Sequence, residues 1–305
     1  MDSLAQLIAA AMNAGTPLML AALGLLINEK AGVVNLGAEG MMLVAAIVGF
    51  AVAVQTGSVP LGFVAGALAG MLLAGFFALL TVWLGTNQYA TGLALSLFGA
   101  GASAYIGIKY VGLSLHNAAP RVPLLADIPF FGKALFSQHW MVYLSLVLCA
   151  AQVWFIKRSR FGLVLRAVGE SPSSAHALGY KVRRIRLLAL LFGGLCCGLA
   201  GAYLSCVYTP LWVEGMVSGR GWIALALTTF ATWRPLRVLA GAYLFGLVTI
   251  LGFHAQALGV PVASQLLAML PYLATIVVLV LISRDTNAIK LNMPASLGKN
   301  FNPHG

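Results

Sequence analysis

The sequence predicts an all-α polytopic membrane protein, and two features of its composition support that prediction. Of the 305 residues, 61% are apolar and only 8% are charged, whereas a soluble domain carries about 25% charged residues. No charged side chain occurs in 40–108 or in 238–283, and a helix needs only about 20 apolar residues to cross a bilayer. Each uncharged run therefore holds several membrane-spanning helices joined by short turns, which excludes a soluble fold.

Polar and glycine-rich breaks divide the apolar sequence into about nine spans within a single domain, 1–305. The predicted spans are 4–27, 36–54, 60–84, 90–108, 140–156, 187–208, 221–233, 236–257 and 262–283. Around them we distinguish a first helical half (4–108), an extracytoplasmic segment (109–138), a basic cytoplasmic loop (157–186), a second helical half (187–283) and a cytoplasmic tail (284–305).

The basic residues predict the orientation of these spans. With 157–186 in the cytoplasm, fourteen of the 18 lysines and arginines fall on that side of the membrane and four on the other. Because cytoplasmic loops are enriched in Lys and Arg, we predict a multi-pass protein of the bacterial plasma (inner) membrane with its N-terminus outside and its C-terminus inside. The same distribution accounts for the net charge of +11, so the predicted surroundings are membrane lipid and not nucleic acid.

Two glycine-rich segments indicate an inverted repeat around the fifth span. Gly32, Gly37 and Gly40 precede or begin the second span, and Gly215, Gly219 and Gly221 precede the seventh in the oppositely oriented half. Interrupted helices at corresponding positions of two inverted halves are typical of a transport site at the repeat interface. The alternative is that membrane helices are simply rich in glycine, of which this chain has 34.

Polar side chains at the starts of two spans are the first candidates for a solute path. Asn35 and Glu39 begin the second span, and Asn87 and Gln88 begin the fourth, all toward the predicted cytoplasmic side. An acid within a membrane segment is costly and is a functional candidate by default. Two alternatives remain: Glu39 caps a helix end, where an acid is favoured by about 0.3–1 kcal/mol, and Asn87 and Gln88 only form a turn.

The cytoplasmic loop contains a short helix with signals for both of its ends. Ser171 is a favourable N-cap, Pro172 suits the first helical position and Gly179 suits the residue after the helix. A helix of about two turns is marginal by itself in water, so it is expected to dock on a protein partner or, as the alternative, to lie on lipid. The weak apolar face around Ala175 favours the protein partner.

A third segment, Gly-Arg-Gly-Trp, begins the seventh span with Arg220 and Trp222. As a functional residue at the outer boundary, Arg220 would orient a polar solute or pair with Glu214; as the alternative, it anchors the end of the span. Trp222 is counted with the candidate path residues. The chain lacks a phosphate-binding loop, a His-Glu-x-x-His motif and a Gly-x-Ser-x-Gly motif, so neither ATP hydrolysis nor covalent chemistry is predicted.

Four segments in order resemble the permease subunits of bacterial ABC importers for simple sugars and nucleosides, above all the shorter permease of purine-nucleoside systems served by basic-membrane-protein lipoproteins. They are NLGAEGMM (35–42), TNQYATGLALSLFGAG (86–101), AVGESPSSAHALGY (167–180) and GRGWIALAL with the following WRP (219–235). Two positions depart from the family pattern. Met41 stands where the family often has glutamine, and Ala231 stands where a glycine precedes Trp-x-Pro.

The resemblance implies a transport subunit that works with several other proteins. A separate ATPase subunit would bind ATP and Mg²⁺ and would receive the short cytoplasmic helix as its coupling helix. A second, longer permease would complete the path, and an extracytoplasmic substrate-binding lipoprotein would deliver the solute, with a purine nucleoside favoured over a pentose or hexose. In this reading the coupling residues are Gly169, Glu170, Ser171, Pro172, Ala175 and Gly179, and the chain itself binds no cofactor or metal.

Two other classes of function compete with this interpretation. A standalone secondary transporter or channel usually carries several ionisable residues deep in the membrane, and here only Glu39 is a candidate. An intramembrane enzyme would need a nucleophile beside a base, and no such pair is visible. Co-purification with a nucleotide-binding subunit would separate the importer from both.

Overall fold

The computed structural model describes residues 2–115, 136–258, 263–283 and 292–302. Most of these residues are helical, and the only β-type pairs among them are two isolated bridges that join 111–114 to 211–212. The all-α prediction is confirmed. Of the predicted extracytoplasmic segment, 116–135 lies outside the described residues, and so does the start of the predicted tail, 284–291.

Eleven α-helices follow one another along the described residues. They are α1 (Asp2–Lys30), α2 (Ala38–Thr56), α3 (Val59–Ala78), α4 (Gln88–Gly107), α5 (Trp140–Arg158), α6 (Arg160–Glu170), α7 (Pro172–Ala177), α8 (Val182–Tyr203), α9 (Arg220–Phe230), α10 (Pro235–Ala257) and α11 (Ser264–Ser283). Two of them, α3 and α8, continue into π-helical turns at Leu79–Trp83 and Leu204–Tyr208.

Seven of these helices are long and apolar enough to cross a membrane: α1, α2, α3, α4, α5, α8 and α10. Helix α11 has 20 residues and covers the ninth predicted span. The predicted seventh span is helix α9, which has only 11 residues, so it is about 16 Å long beside a hydrocarbon core of about 30 Å. Because α9 is too short to cross, the count of nine spans is not confirmed, and the orientation stays a prediction.

Helix α1 lies at the centre of the fold. Its side chains from Leu18 to Leu26 are almost completely buried, against α8, α9 and α10. By contrast, large apolar side chains such as Leu72 on α3, Leu97 on α4 and Val147 on α5 are exposed. Such broad apolar surface marks a membrane-facing exterior, so the first helix is the core and the outer helices meet lipid.

Small residues bring α3 and α8 into close contact. Gly66 and Gly70 on α3 face Gly194 and Gly198 on α8, and a Cβ added to Gly70 would lie only 2.8 Å from the Cα of Gly198. In membranes, glycines four residues apart let two helix backbones approach closely. Part of the high glycine content is therefore explained by helix packing.

Candidate functional site

Glu39 connects the two glycine-rich segments that the sequence identified. One oxygen of its half-buried carboxylate accepts the backbone N–H of Gly219 at 2.8 Å, and the other accepts that of Gly221 at 2.7 Å. These N–H groups belong to the first turn of α9, where helix donors have no intrahelical acceptor. Glu39 begins α2 and thus caps the N-terminus of α9, a helix about 180 residues away in sequence.

Glycines permit this close approach of α2, α4 and α9. A Cβ added to Gly221 would lie 2.6 Å from the Cα of Glu39, and one added to Gly40 would lie 2.5 Å from the carbonyl oxygen of Leu95 on α4. Both contacts are with backbone or Cα atoms, which cannot swing away as a flexible side chain can. The glycine-rich starts of α2 and α9 therefore meet, as expected of a repeat interface.

The predicted depths of Glu39 and Arg220 cannot both be right. The sequence placed Glu39 toward the cytoplasmic side and Arg220 at the outer boundary, but Glu39 bonds to the backbone on either side of Arg220. Two residues in such contact cannot lie at opposite faces of a bilayer. The Arg220 guanidinium donates to the carbonyl oxygens of Met216 (3.0 Å) and Val217 (3.3 Å) and lies over the ring of Tyr208.

A second acid, which the sequence interpretation overlooked, holds the other end of α9. Glu29, fully enclosed in the last turn of α1, accepts the hydroxyl of Thr228 at 2.9 Å and the indole N–H of Trp233 at 2.5 Å. Two carboxylates ten residues apart therefore fix both ends of α9. Glu29 was overlooked because it lies beside Lys30 at a span end, where charged pairs are ordinary.

Asn35 is completely buried and satisfies the backbone of its own segment. Its side-chain oxygen accepts the N–H of Gly37 at 3.0 Å, and its amide nitrogen lies 3.5 Å from the Met41 sulfur. Residue 41 is the position at which the family pattern often has glutamine. The departure at Met41 therefore changes the direct neighbour of Asn35.

Asn87 and Gln88 have separate structural roles. The exposed Asn87 caps α4 by accepting the N–H groups of Tyr89 (2.9 Å) and Ala90 (3.1 Å). Gln88 is buried, accepts the N–H of Val34 at 2.9 Å and donates to Asn300 at 3.1 Å. Asn35, Asn87 and Gln88 thus each hold backbone or tail groups in place by hydrogen bonds.

A cavity of about 330 Å³ beside the start of α9 was not foreseen from the sequence. Polar and aromatic side chains share its wall, and we call it the aromatic cavity: Tyr208, Ser218, Arg220, Phe245, Thr249, Phe253, Gln256 and Tyr272. It has the size of a small-molecule site. The side chain of Trp222, on α9, is about one-third exposed but does not line the aromatic cavity. Contributions from α10 and α11 gave no sequence signal because both helices read as uniformly apolar spans.

The short helix in the basic loop, α7, forms as the sequence predicts. Ser171 Oγ accepts the N–H of Ser174 at 3.3 Å, Pro172 is the first helical residue of α7, and Gly179 has the left-handed φ of +88°. Its inner face docks on its own chain, because Ala175 packs against Val168 and Val182. The assumption that this helix has no partner within its own chain, which underlay the expected docking on a protein partner or on lipid, is therefore corrected. Leu178 remains 78% exposed.

Residues 292–301 of the tail cross the end of the molecule that carries α7, and we call this segment the strap. The sequence did not reveal it. Ser296 donates its N–H to the carbonyl of Gly169 at 3.0 Å, and Ala295 donates its N–H to Glu170 at 3.4 Å. The Gly298 N–H reaches the carbonyl of Gly32 at 3.2 Å. The strap thus joins the end of α6 to the loop between α1 and α2.

Further contacts extend the strap to the loop between α3 and α4. Asn300 donates to the carbonyl oxygens of Gly85 (2.6 Å) and Thr86 (3.0 Å). Arg186, which is only 2% exposed, donates to the carbonyls of Ala31 (3.2 Å) and Lys299 (3.0 Å). These hydrogen bonds hold the strap against the loops between α1 and α2 and between α3 and α4. No group of three potential metal ligands occurs among the residues that the structure describes.

Comparison with known proteins places this architecture in a family. Residues 7–282 match the family model described as branched-chain amino acid transport system / permease component. The chain is 40% identical over 326 residues to the putative glucose ABC transporter permease protein TsgC13 of Haloferax volcanii, covering 99% of each chain. It is 30% identical to the guanosine ABC transporter permease protein NupQ of Bacillus subtilis, covering 93% of this chain and 94% of that one.

A third relative, the nucleoside ABC transporter permease protein NupC of Lactococcus lactis, is 31% identical, with 87% of this chain and 88% of that one covered. No solved structure matches the chain significantly.

Proposed function

We propose that this chain, which belongs to the family of branched-chain amino acid transport system permease components, forms the solute path of an ATP-driven importer for a purine nucleoside. It is a multi-pass inner-membrane permease subunit, and relatives across nearly its whole length are permeases for nucleosides or sugars. The aromatic cavity is the observation that favours a nucleoside. Tyr208, one face of which lies under Arg220, lines it together with Phe245 and Tyr272, and these aromatic rings suit a flat base. Gln256 and Thr249 offer hydrogen bonds to the polar edges of the base or to the ribose.

A sugar is the second candidate substrate, and a specific observation favours it. The relative with 40% identity over the whole chain carries the name of a putative glucose permease, whereas the guanosine and nucleoside permeases are 30% and 31% identical. Both substrates present hydroxyl groups, but only the nucleoside presents a base that stacks on aromatic rings. The aromatic wall is therefore the reason for ranking the nucleoside first.

The proposal includes three protein partners. An ATPase subunit supplies the ATP and Mg²⁺ chemistry for which this chain has no phosphate-binding loop, and an extracytoplasmic lipoprotein delivers the solute. A second, longer permease completes the path. In support, the chain also matches NupP, a guanosine ABC transporter permease protein of Bacillus subtilis, which carries NupQ as well. The match covers only 73% of the length of NupP, as expected of a longer second permease.

Helix α7 and the residues around it form the contact with the ATPase in this proposal. The inner face of the helix is already covered by Val168 and Val182, while Leu178 and Tyr180 are exposed. An apolar side chain that is 78% exposed beside a docked helix offers a surface for a protein groove. Gly169 and Glu170 join this helix to the strap, so movement of α7 reaches the loops that precede α2 and α4.

Uptake by membrane vesicles that contain the assembled importer and its binding protein tests the proposed substrate. We expect saturable, ATP-dependent uptake of labelled guanosine that unlabelled glucose does not inhibit. Uptake of glucose with no uptake of guanosine would establish the sugar alternative. If neither solute enters while ATP is hydrolysed, the proposed function is wrong.

Variants in the same assay test the aromatic cavity as part of the path. Gln256→Ala removes one hydrogen-bonding side chain, worth about 1 kcal/mol, so the half-saturating guanosine concentration should rise about fivefold. Gln55→Ala, which removes the same kind of side chain from the exposed end of α2, should leave it unchanged. If the wild type and both variants have the same half-saturating guanosine concentration, the path does not include Gln256 and lies elsewhere.

Gly179→Val should uncouple ATP hydrolysis from solute. A valine at φ +88° is strained, which displaces the end of α7 although the site itself has open space around it. We expect normal membrane insertion and at least a tenfold loss of solute-stimulated ATPase activity in the assembled complex. The matched control is Gly57→Val, which introduces the same kind of strain at φ +66° after α2. Wild-type stimulation in the Gly179 variant, or equal loss in both variants, would contradict the coupling role.

A further inference from the structure

A basic cavity of about 520 Å³ lies away from the aromatic cavity, between the ends of α5, α6 and α10. Five cationic side chains line it: Lys30, Lys157, Arg166, Arg234 and Arg237. They come from three separate stretches of the sequence, at 30, 157–166 and 234–237, and no sequence motif groups all five. The basic cavity has the size of a small-molecule site.

Two acids, Glu29 and Glu170, lie near the basic cavity and offset only part of the charge of its five cations; both also accept hydrogen bonds from other groups. Glu29 accepts the hydrogen bonds of Thr228 and Trp233, and Glu170 accepts the N–H of Ala295. Arg166 Nε is buried without a hydrogen-bond acceptor among the described residues. The clustered cationic side chains and the unpaired Arg166 donor would be satisfied by an anion with several acceptor oxygens.

Apart from Asn292, the rest of the wall is apolar or aromatic. Val153 and Ile156 on α5 and Leu236 on α10 line the basic cavity together with the cations. Leu236 is 59% exposed, and both helices belong to the apolar spans. A free phosphate ion gains nothing from apolar wall residues, whereas a phospholipid places its phosphate among the cations and its glycerol and first methylenes along the apolar side.

We propose that the basic cavity binds the headgroup of an anionic phospholipid from the leaflet on the side of the basic loops. Basic pockets between membrane helices on the cytoplasmic side suit anionic headgroups. The lipid sits against Lys30, whose ammonium also donates to the carbonyl of Asn292 at 2.6 Å. The bound lipid therefore steadies the point at which the strap begins. This inference does not depend on which solute the permease carries.

Reconstitution of the full-length chain with its partner subunits in nanodiscs tests the proposal. The lipid would be phosphatidylcholine doped with phosphatidylglycerol, and native mass spectrometry would measure the phosphatidylglycerol that stays bound. The test variant is Lys157→Gln with Arg234→Gln, two exposed cavity residues. Each basic side chain near a membrane surface contributes about a fivefold factor, so we expect about 25-fold weaker retention.

The matched control is Arg158→Gln with Arg160→Gln, which removes the same charge from exposed neighbours that do not line the basic cavity. It should retain phosphatidylglycerol at the wild-type level. Equal retention in the wild type and the test variant, or equal loss in the test and control variants, would overturn the proposal. Inorganic phosphate is added in a further arm: if it displaces the lipid at millimolar concentration, the cavity is a free-phosphate site and the lipid assignment is wrong.

Discussion

Replacement of Glu39 by alanine is expected to reduce solute uptake by at least tenfold and to lower the yield of assembled importer. The carboxylate is the acceptor for the N–H groups of Gly219 and Gly221 at 2.8 and 2.7 Å. A buried donor left without an acceptor costs about 1–3 kcal/mol, and two donors lose theirs at once. Because these hydrogen bonds join α2 to α9, their loss should affect both transport and assembly. Vesicle uptake measures the first, and the amount of complex recovered by size-exclusion chromatography measures the second.

The graded variant Glu39→Gln separates capping from charge. Glutamine keeps one acceptor oxygen, so it should recover assembly while uptake remains between the alanine variant and the wild type. The control is Glu214→Ala, because Glu214 is an exposed acid in the same chain, and it should behave as wild type. Wild-type uptake and assembly in Glu39→Ala would show that α9 is held without this cap.

Deletion of residues 292–305 should leave an inserted but uncoupled permease. The deletion removes the strap and with it the donors that bond to the carbonyl oxygens of Gly169, Gly32 and Gly85. It also leaves the buried Arg186 without two of its acceptors, Ser296 and Lys299. We expect solute-stimulated ATPase activity to fall at least tenfold, because α7 loses its connection to the loops before α2 and α4.

A shorter deletion is the control for the strap. Removal of residues 303–305 keeps every contact described for 292–301, so coupling should be retained. Single variants locate the effect: Ser296→Ala removes a hydroxyl that donates to the Gly169 carbonyl at 2.6 Å, and Asn300→Ala frees the loop between α3 and α4. Full coupling after deletion of 292–305 would mean that the strap is dispensable for this link.

Some features were predictable because they depend on composition or on nearby residues. Membrane insertion follows from apolar content and the length of uncharged runs, and the positions of most spans agree with the structure within a few residues. The short helix α7 was also predictable, since Ser171, Pro172 and Gly179 act on backbone groups within one or two turns. Such local signals are complete in the sequence itself.

The candidate site was only half predictable. Asn35, Glu39, Asn87 and Gln88 were correctly singled out as polar groups at helix starts, but their partners were not. Glu39 bonds to residues about 180 positions away, and Gln88 bonds to one more than 200 positions away. Whether each residue serves the solute path itself stays a prediction.

The sequence by itself determined that this protein is a helical membrane protein, where most of its long spans begin and end, and that a capped helix lies between them. Only the tertiary structure decided that α9 stops short of a span, that Glu29 and Glu39 hold its two ends, and that the tail straps the basic end. The reason is physical: a helix that is apolar on every side shows no face that marks its neighbour. Which helices meet is then set by backbone shape at glycines and by a few long-range hydrogen bonds, and these appear only when the chain is packed.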